Sequence, residues 1–356
     1  MTSSASGVVR VLVVDDSAFV RKVVSRMLSR SPLLEVVATA RDGDEALEMV
    51  ERLRPDVVTL DLVMPRMNGI EFLKRHMARA PIPVVVCSIA HESGEMAMEA
   101  FDLGAVEFVQ KPTALATDRV YEIADELVAK VRAAASVSML RAPLSAATPT
   151  SNGSRTAPAA ASRRGVSRAD VVVLGISTGG PQALRQLIPR FPAEFPVPIA
   201  MVLHMPIGYT EMYARRLDEI SPLDVVEARD GEVLRPGCAF LAPAGRHLTF
   251  ARDPDGVIRT HLDVRPLESL HRPAVDVLFR SAAELFTTRA LAVVMTGMGS
   301  DGVLGAAHIK AQGGRVITEA ESSCIVYGMP RAVDEASLSD RSAPLDEMAQ
   351  AIMEMI

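Results

Sequence analysis

Five times within the first 130 residues a short apolar run gives way to an amphipathic helical pattern, and the alternation returns after residue 170. The first set of runs covers 9–14, 35–40, 57–60, 84–87 and 107–109; helical patterns follow at 18–28, 45–53, 70–79, 95–103 and 120–131. Strand then helix, repeated, has one compact solution: a parallel sheet covered on both faces. The later strands are expected at 171–174, 199–203, 290–295 and 316–318. Turn signals between 233 and 261 read as hairpins attached to that second, larger, doubly wound α/β sheet.

Residues 131–168 break the pattern. They are rich in Ala, Ser, Thr and Pro, and they hold six arginines and no acidic residue. Such a stretch buries too little apolar surface to offset its ordering entropy, so it reads as a flexible basic linker. The expected division is therefore 8–130, linker 131–168, and 169–356, which suits a chain of 356 residues. A net charge of −6 argues against nucleic-acid binding as the main task. Cys87, Cys238 and Cys324 lack C-x-x-C spacing and read as reduced thiols. The first apolar run stops at Asp15-Asp16, unlike a signal peptide, and no run is long enough to span a membrane. The expectation is a cytoplasmic protein without direct membrane insertion.

In an open parallel sheet, function gathers at the carboxyl ends of the strands. In the first half those ends carry Asp15 and Asp16, Asp61, Ser88, and Lys111-Pro112. Converging carboxylates need a cation, and Mg²⁺ suits an all-oxygen set. One carboxylate can then attack a phosphoryl group while Lys111 helps neutralise the developing charge. Taken singly, Asp15 or Asp16 could be a helix cap and Lys111 a surface charge; together they are hard to explain so. The stretches Val13-Val14-Asp15-Asp16-Ser17, Asp61-Leu62-Val63-Met64-Pro65-Arg66-Met67-Asn68-Gly69 and Lys111-Pro112 resemble a response-regulator receiver domain of flavodoxin-like fold. The resemblance implies Asp61 as phosphoacceptor, Asp15, Asp16 and Asp61 around Mg²⁺, and Ser88, Phe108 and Lys111 as the switch. Asn68 and Val63 depart from the commonest receiver pattern.

In the second half an apolar run breaks into Gly175-Ile176-Ser177-Thr178-Gly179-Gly180-Pro181. Small residues after a buried strand, with Pro opening a helix, bare the Ser177 hydroxyl beside unpaired N–H groups. The letters fit a nucleophile elbow and nearly fit a dinucleotide loop, so the motif alone does not choose. His204 ends the next strand and is the candidate base. Asp301, in Thr296-Gly297-Met298-Gly299-Ser300-Asp301-Gly302, is the candidate orienting carboxylate, with a plain helix N-cap as its other reading. Backbone N–H groups near Thr178 and Met298 are the candidate oxyanion donors. The order Ser, His, Asp differs from that of α/β-hydrolases.

A receiver, a linker, and then Ile176-Ser177-Thr178-Gly179-Gly180-Pro181, His204-Met205-Pro206, His271-Arg272-Pro273, the 296–302 glycine loop and Tyr327-Gly328-Met329-Pro330 together resemble the chemotaxis-type protein-glutamate methylesterases. The resemblance implies a hydrolase that removes methyl groups from glutamate γ-methyl esters of chemoreceptors and deamidates receptor glutamines. It places Ser177, His204 and Asp301 on the catalytic positions, with no cofactor for hydrolysis. A sensor histidine kinase is the implied phosphodonor, and phosphorylation the implied activator. Three rival readings stand beside this one: a binding module with a defunct site, a nucleotide-binding oxidoreductase, and a receiver-driven transcription factor. No basic helix-turn-helix pattern supports the last.

Overall fold

The computed structural model describes residues 7–79, 81–88, 94–111, 119–136 and 169–356. Most of the stretch read as a linker, and Pro112, lie outside the described residues.

The amino-terminal sheet contains β1 (Val9–Val14), β2 (Leu34–Ala40), β3 (Val57–Leu60), β4 (Val84–Ser88) and β5 (Glu107–Gln110), in the order β2-β1-β3-β4-β5. Every pairing is parallel. β3 and β4 are buried along their whole length, as their Val-rich, non-alternating sequences require. The helices are α1 (Ala18–Leu28), α2 (Gly43–Leu53), α3 (Gly69–Arg79), α4 (Gly94–Asp102) and α5 (Arg119–Ala135). Asn68 accepts from the Glu71 N–H at 2.9 Å and so caps the start of α3. The last helix continues to Ala135, past the expected boundary at 130, because Ala133-Ala134-Ala135 are strong helix formers.

The carboxy-terminal part comprises β6 (Val171–Ile176), α6 (Gly180–Leu187), β7 (Ile199–Leu203), α7 (Thr210–Asp218), β8 (Asp224–Glu227), β9 (Cys238–Leu241), β10 (His247–Arg252), β11 (Ile258–Asp263), α8 (Val275–Phe286), β12 (Ala290–Val294), α9 (Val303–Ala311), β13 (Arg315–Glu319), α10 (Met329–Glu335), β14 (Arg341–Ala343) and α11 (Leu345–Met353). Seven of the strands form a parallel sheet in the order β14-β13-β12-β6-β7-β9-β8. The 233–261 region supplies one antiparallel hairpin, β10–β11. It also donates β9 to the main sheet, where β9 runs parallel to β7 and β8. Cys238-Ala239-Phe240-Leu241 is wholly buried, which suits an internal strand better than a hairpin arm.

Both sheets reverse strand order beside a central strand, β1 in the first and β6 in the second. A crevice opens outside the carboxyl ends at such a point. The two halves also meet. One apolar cluster runs from Ala97, Met98 and Phe101 of α4 into Ala183 and Leu184 of α6 and Tyr213 of α7. Gln182 donates to the Ala105 carbonyl at 3.0 Å. Asp102 pairs with Arg185 and, at 3.9 Å, with Arg216.

Candidate functional site

Ser177 is the first residue after β6, and His204 the first after β7. These strands pair with Ile176 opposite Leu203, so the two residues emerge side by side. The His204 N–H donates to the Ile176 carbonyl at 3.2 Å, extending the ladder by one rung. On the other flank the Ser177 N–H donates to the Thr296 carbonyl at 3.0 Å, tying the loop after β12 to the serine. Gly297 follows, and any side chain there would put a Cβ 2.8 Å from the Ser177 Cβ. Only glycine fits that approach.

The imidazole of His204 donates from Nε2 to Asp301 Oδ2 at 2.9 Å. Both carboxylate oxygens are also engaged by α8: Val275 N–H reaches Oδ2 at 2.8 Å and Asp276 N–H reaches Oδ1 at 2.9 Å. Asp301 thus does cap a helix, but α8 rather than the α9 that follows it. Burial pushes its carboxyl pKa up; the His204 bond and charge and the two α8 N–H groups outweigh this and hold it below the usual carboxylate value. With Nε2 committed to an anion, Nδ1 is the nitrogen left to accept a proton. The Ser177 hydroxyl makes no hydrogen bond among the described residues, so the serine and imidazole are adjacent without being joined.

His271, whose role the sequence leaves open, stacks on His204 with ring centroids 4.1 Å apart and planes 23° apart. The stack pins the imidazole face and leaves its edge to Asp301. Thr178 is buried, and its carbonyl accepts from the Thr296 hydroxyl at 3.0 Å. Neither the Thr178 nor the Met298 N–H donates to an acceptor among the described residues. The Tyr327-Gly328-Met329-Pro330 stretch braces the same loop, with Gly328 and Met329 N–H groups donating to the Gly297 carbonyl at 3.1 and 2.8 Å. One residue the sequence reading missed is Glu319. It ends β13 fully buried and accepts from the Thr296 N–H at 2.9 Å. A carboxylate closing a buried strand is its only signal in the sequence.

The second cluster lies at the first sheet's reversal point. Carboxylate oxygens of Asp15, Asp16 and Asp61 fall within 4.8 Å of one another. Lys111 Nζ bridges Asp15 Oδ2 at 2.6 Å and Asp61 Oδ2 at 2.7 Å. Burial raises both carboxyl pKa values in spite of Lys111, so the set lacks positive charge. A hard divalent cation fits that deficit and an all-oxygen donor set. Ser88 is buried at the end of β4, and its carbonyl accepts from the Lys111 N–H at 3.0 Å. Phe108 is buried too, with its ring against Tyr209 of the other half.

A strand-end serine beside an imidazole–carboxylate pair, coupled to a carboxylate–lysine cluster on a second sheet, defines a hydrolase fused to a phosphoacceptor module. Comparison with known proteins agrees. Residues 172–352 match the model of the CheB methylesterase family, and residues 11–120 that of the response regulator receiver domain. The chain is 52% identical over 341 residues to protein-glutamate methylesterase/protein-glutamine glutaminase 5 of Myxococcus xanthus, covering 96% of each protein. It is 45% identical to the protein-glutamate methylesterase/protein-glutamine glutaminase of Geobacillus kaustophilus, covering 98% of this chain and 99% of that one. The crystal structure of the Thermotoga maritima CheB methylesterase catalytic domain superposes with TM-score 0.52 and 41% identity, covering 53% of this chain and 99% of that chain. The chain belongs to the CheB methylesterase family and is an enzyme carrying a receiver domain.

Proposed function

We propose that this enzyme hydrolyses glutamate γ-methyl esters on the cytoplasmic domains of chemoreceptors, deamidates particular receptor glutamines, and is activated by phosphorylation of Asp61. The observation that carries the hydrolytic part is the 2.9 Å His204–Asp301 bond at the rim where Ser177 emerges. Ser177 Oγ attacks the γ-carbonyl carbon as His204 Nδ1 takes its proton. Asp301 stabilises the resulting imidazolium. The oxyanion is met by the Thr178 and Met298 N–H groups. Collapse expels methanol, which leaves with the proton from His204; water then repeats the sequence and frees glutamate. With a side-chain amide the leaving group is ammonia, and its departure leans harder on protonation by His204.

In the receiver, Asp15, Asp16 and Asp61 would hold Mg²⁺, which supplies charge neutralisation for phosphoryl transfer. Asp61 accepts the phosphoryl group from a sensor histidine kinase, and Lys111 and Ser88 bind its oxygens. The contacts of Phe108, Asp102 and Ala105 with Tyr209, Arg185 and Gln182 support a receiver that restrains the hydrolase until Asp61 is phosphorylated. Ile325 adds to this, since it packs against a receiver cluster that includes Val13, Cys87 and Leu127 and also lies against Gly179.

The test is methanol release from methylated receptor cytoplasmic fragments, with and without acetyl phosphate. Release that rises with Asp61 phosphorylation and is lost in Ser177→Ala is expected. Turnover by Ser177→Ala would remove the serine from the mechanism, and equal rates with phosphorylated Asp61 would remove the gate.

A further inference from the structure

Asp301 sits in a loop with little stiffness of its own. Gly299 and Gly302 flank it in the left-handed region, at φ 84° and 104°. Glycines there impose no side-chain constraint and leave the backbone its widest freedom. A carboxylate that must orient an imidazole needs a clamp from elsewhere.

Helices α8 and α9 supply one by exchanging caps. The first N–H groups of α8, from Val275 and Asp276, donate to Asp301, as described above. In return, Asp276 Oδ1 accepts from the Gly302 N–H at 2.9 Å and the Gly305 N–H at 2.7 Å, at the amino terminus of α9. Each aspartate therefore satisfies orphan donors of the other's helix, and each carboxylate faces the positive end of a macrodipole. The helices touch closely enough for this. A Cβ on Gly305 would lie 2.5 Å from the Phe279 Cβ and 3.0 Å from the Asp276 Cα.

We infer that Asp276 is a positioning residue for hydrolysis: by clamping the start of α9 it fixes the Asp301 carboxylate against His204. The inference rests on the reading of Ser177, His204 and Asp301 as the hydrolytic relay. Losing a helix cap costs about 1 kcal/mol, which a folded domain tolerates. A displacement of about 1 Å at a catalytic group can cost on the order of 100-fold in rate. The effect on turnover should therefore exceed the effect on stability.

Both α9 N–H groups reach the same oxygen, so an asparagine at 276 can still accept both, whereas alanine accepts neither. The experiment uses the full chain with acetyl phosphate and two readouts. One is methanol release from methylated receptor fragments; the other is the downfield NMR resonance of the His204 Nε2 proton, which needs no substrate. For Asp276→Ala, kcat is expected to fall roughly 10- to 100-fold. KM should stay within about twofold, because ground-state binding is untouched. The proton resonance should move upfield or vanish. Asp276→Asn should keep the resonance and stay within about threefold of the parent rate. If the alanine variant does not fold, Asp276→Ser replaces it, since a serine hydroxyl is too short to span to α9. A folded alanine or serine variant with parental kcat and an unmoved resonance overturns the inference, as does Asp276→Asn damaged equally. If even the parent releases no methanol but the resonance responds to Asp276→Ala, the substrate reading fails and the positioning role stands.

Discussion

Phe108 of the receiver and Tyr209 at the start of α7 pack ring against ring, with centroids 4.6 Å apart and planes tilted by 52°. Both side chains are buried, so an aromatic residue of the receiver is part of the interface with the other half. Nearby, Asp102 pairs with Arg185, but these side chains keep about a third of their surface in water. A partly exposed pair of that kind contributes about 0–1 kcal/mol, whereas a buried aromatic contributes about 1.5–3 kcal/mol by burial and more through the ring contact. The aromatic contact should dominate closure.

Phe108→Ala is therefore expected to raise methanol release from the unphosphorylated enzyme, by roughly 5- to 30-fold for a loss of one to two kcal/mol of interface. Tyr209→Ala should do the same from the other side, and Asp102→Ala should raise release less than either. Methanol assays without a phosphodonor check this. Unchanged basal rates in both aromatic variants would take the contact out of the gate.

Asp301→Asn presents an amide to both His204 and the start of α8. The two α8 N–H groups use different carboxylate oxygens, so the amide oxygen can meet only one of them, and an imidazolium is no longer stabilised. The expected outcome is a fall in kcat of about 10³- to 10⁴-fold with a small change in KM. Loss of charge at the helix terminus costs about 1 kcal/mol, visible as a modest drop in melting temperature. Activity within tenfold of the parent would leave Asp301 with only its capping role.

Chelation separates the two chemistries. EDTA should abolish phosphorylation by acetyl phosphate, since Asp15, Asp16 and Asp61 need a cation to receive a dianion. It should leave basal methanol release unchanged, because the proposed Ser177 route calls for none. Loss of basal release, restored by Mg²⁺, would contradict that division.

Much of this was legible in the chain because both sheets are parallel and doubly wound. Such sheets announce themselves by alternation, and their chemistry falls at strand ends that can be counted. Asp61 and His204 follow an apolar run directly, Lys111 comes one residue later and Ser177 two residues later. β9 was harder to read, since its turn-rich surroundings mask four buried residues. Asp301 could be read both as an orienting carboxylate and as a helix cap, but not as the cap of α8, because that helix starts 26 residues earlier in the chain. Asp276 offered an acidic residue in a first helical turn, which predicts capping of its own helix. Its reach to α9 is a tertiary fact. Glu319 was hard to read for the same reason, since its backbone partner Thr296 lies in the loop after another strand.

Glu319 is fully buried, with Thr296 N–H and the Ser323 hydroxyl as donors, each at 2.9 Å. Burial pushes its carboxyl pKa above the ordinary 4.5, and the two donors only partly oppose this. An acid whose folded pKa is raised keeps its proton in the native state where the unfolded chain has released it. Its stabilising contribution is therefore complete below the unfolded pKa and is lost as pH rises through the folded one. Glutamine does not titrate, can accept from Thr296 with its carbonyl oxygen, and can donate to Ser323. Glu319→Gln should therefore match the parent in stability near pH 4 and exceed it near pH 8 by about 1–2 kcal/mol, as denaturant titrations at the two pH values would measure. Activity should stay within about threefold, because the Thr296 loop that binds the Ser177 N–H keeps its acceptor. An equal gain at both pH values would mean that packing, not ionisation, separates the variants; a loss near pH 8 would mean that the native carboxyl is a stabilised anion.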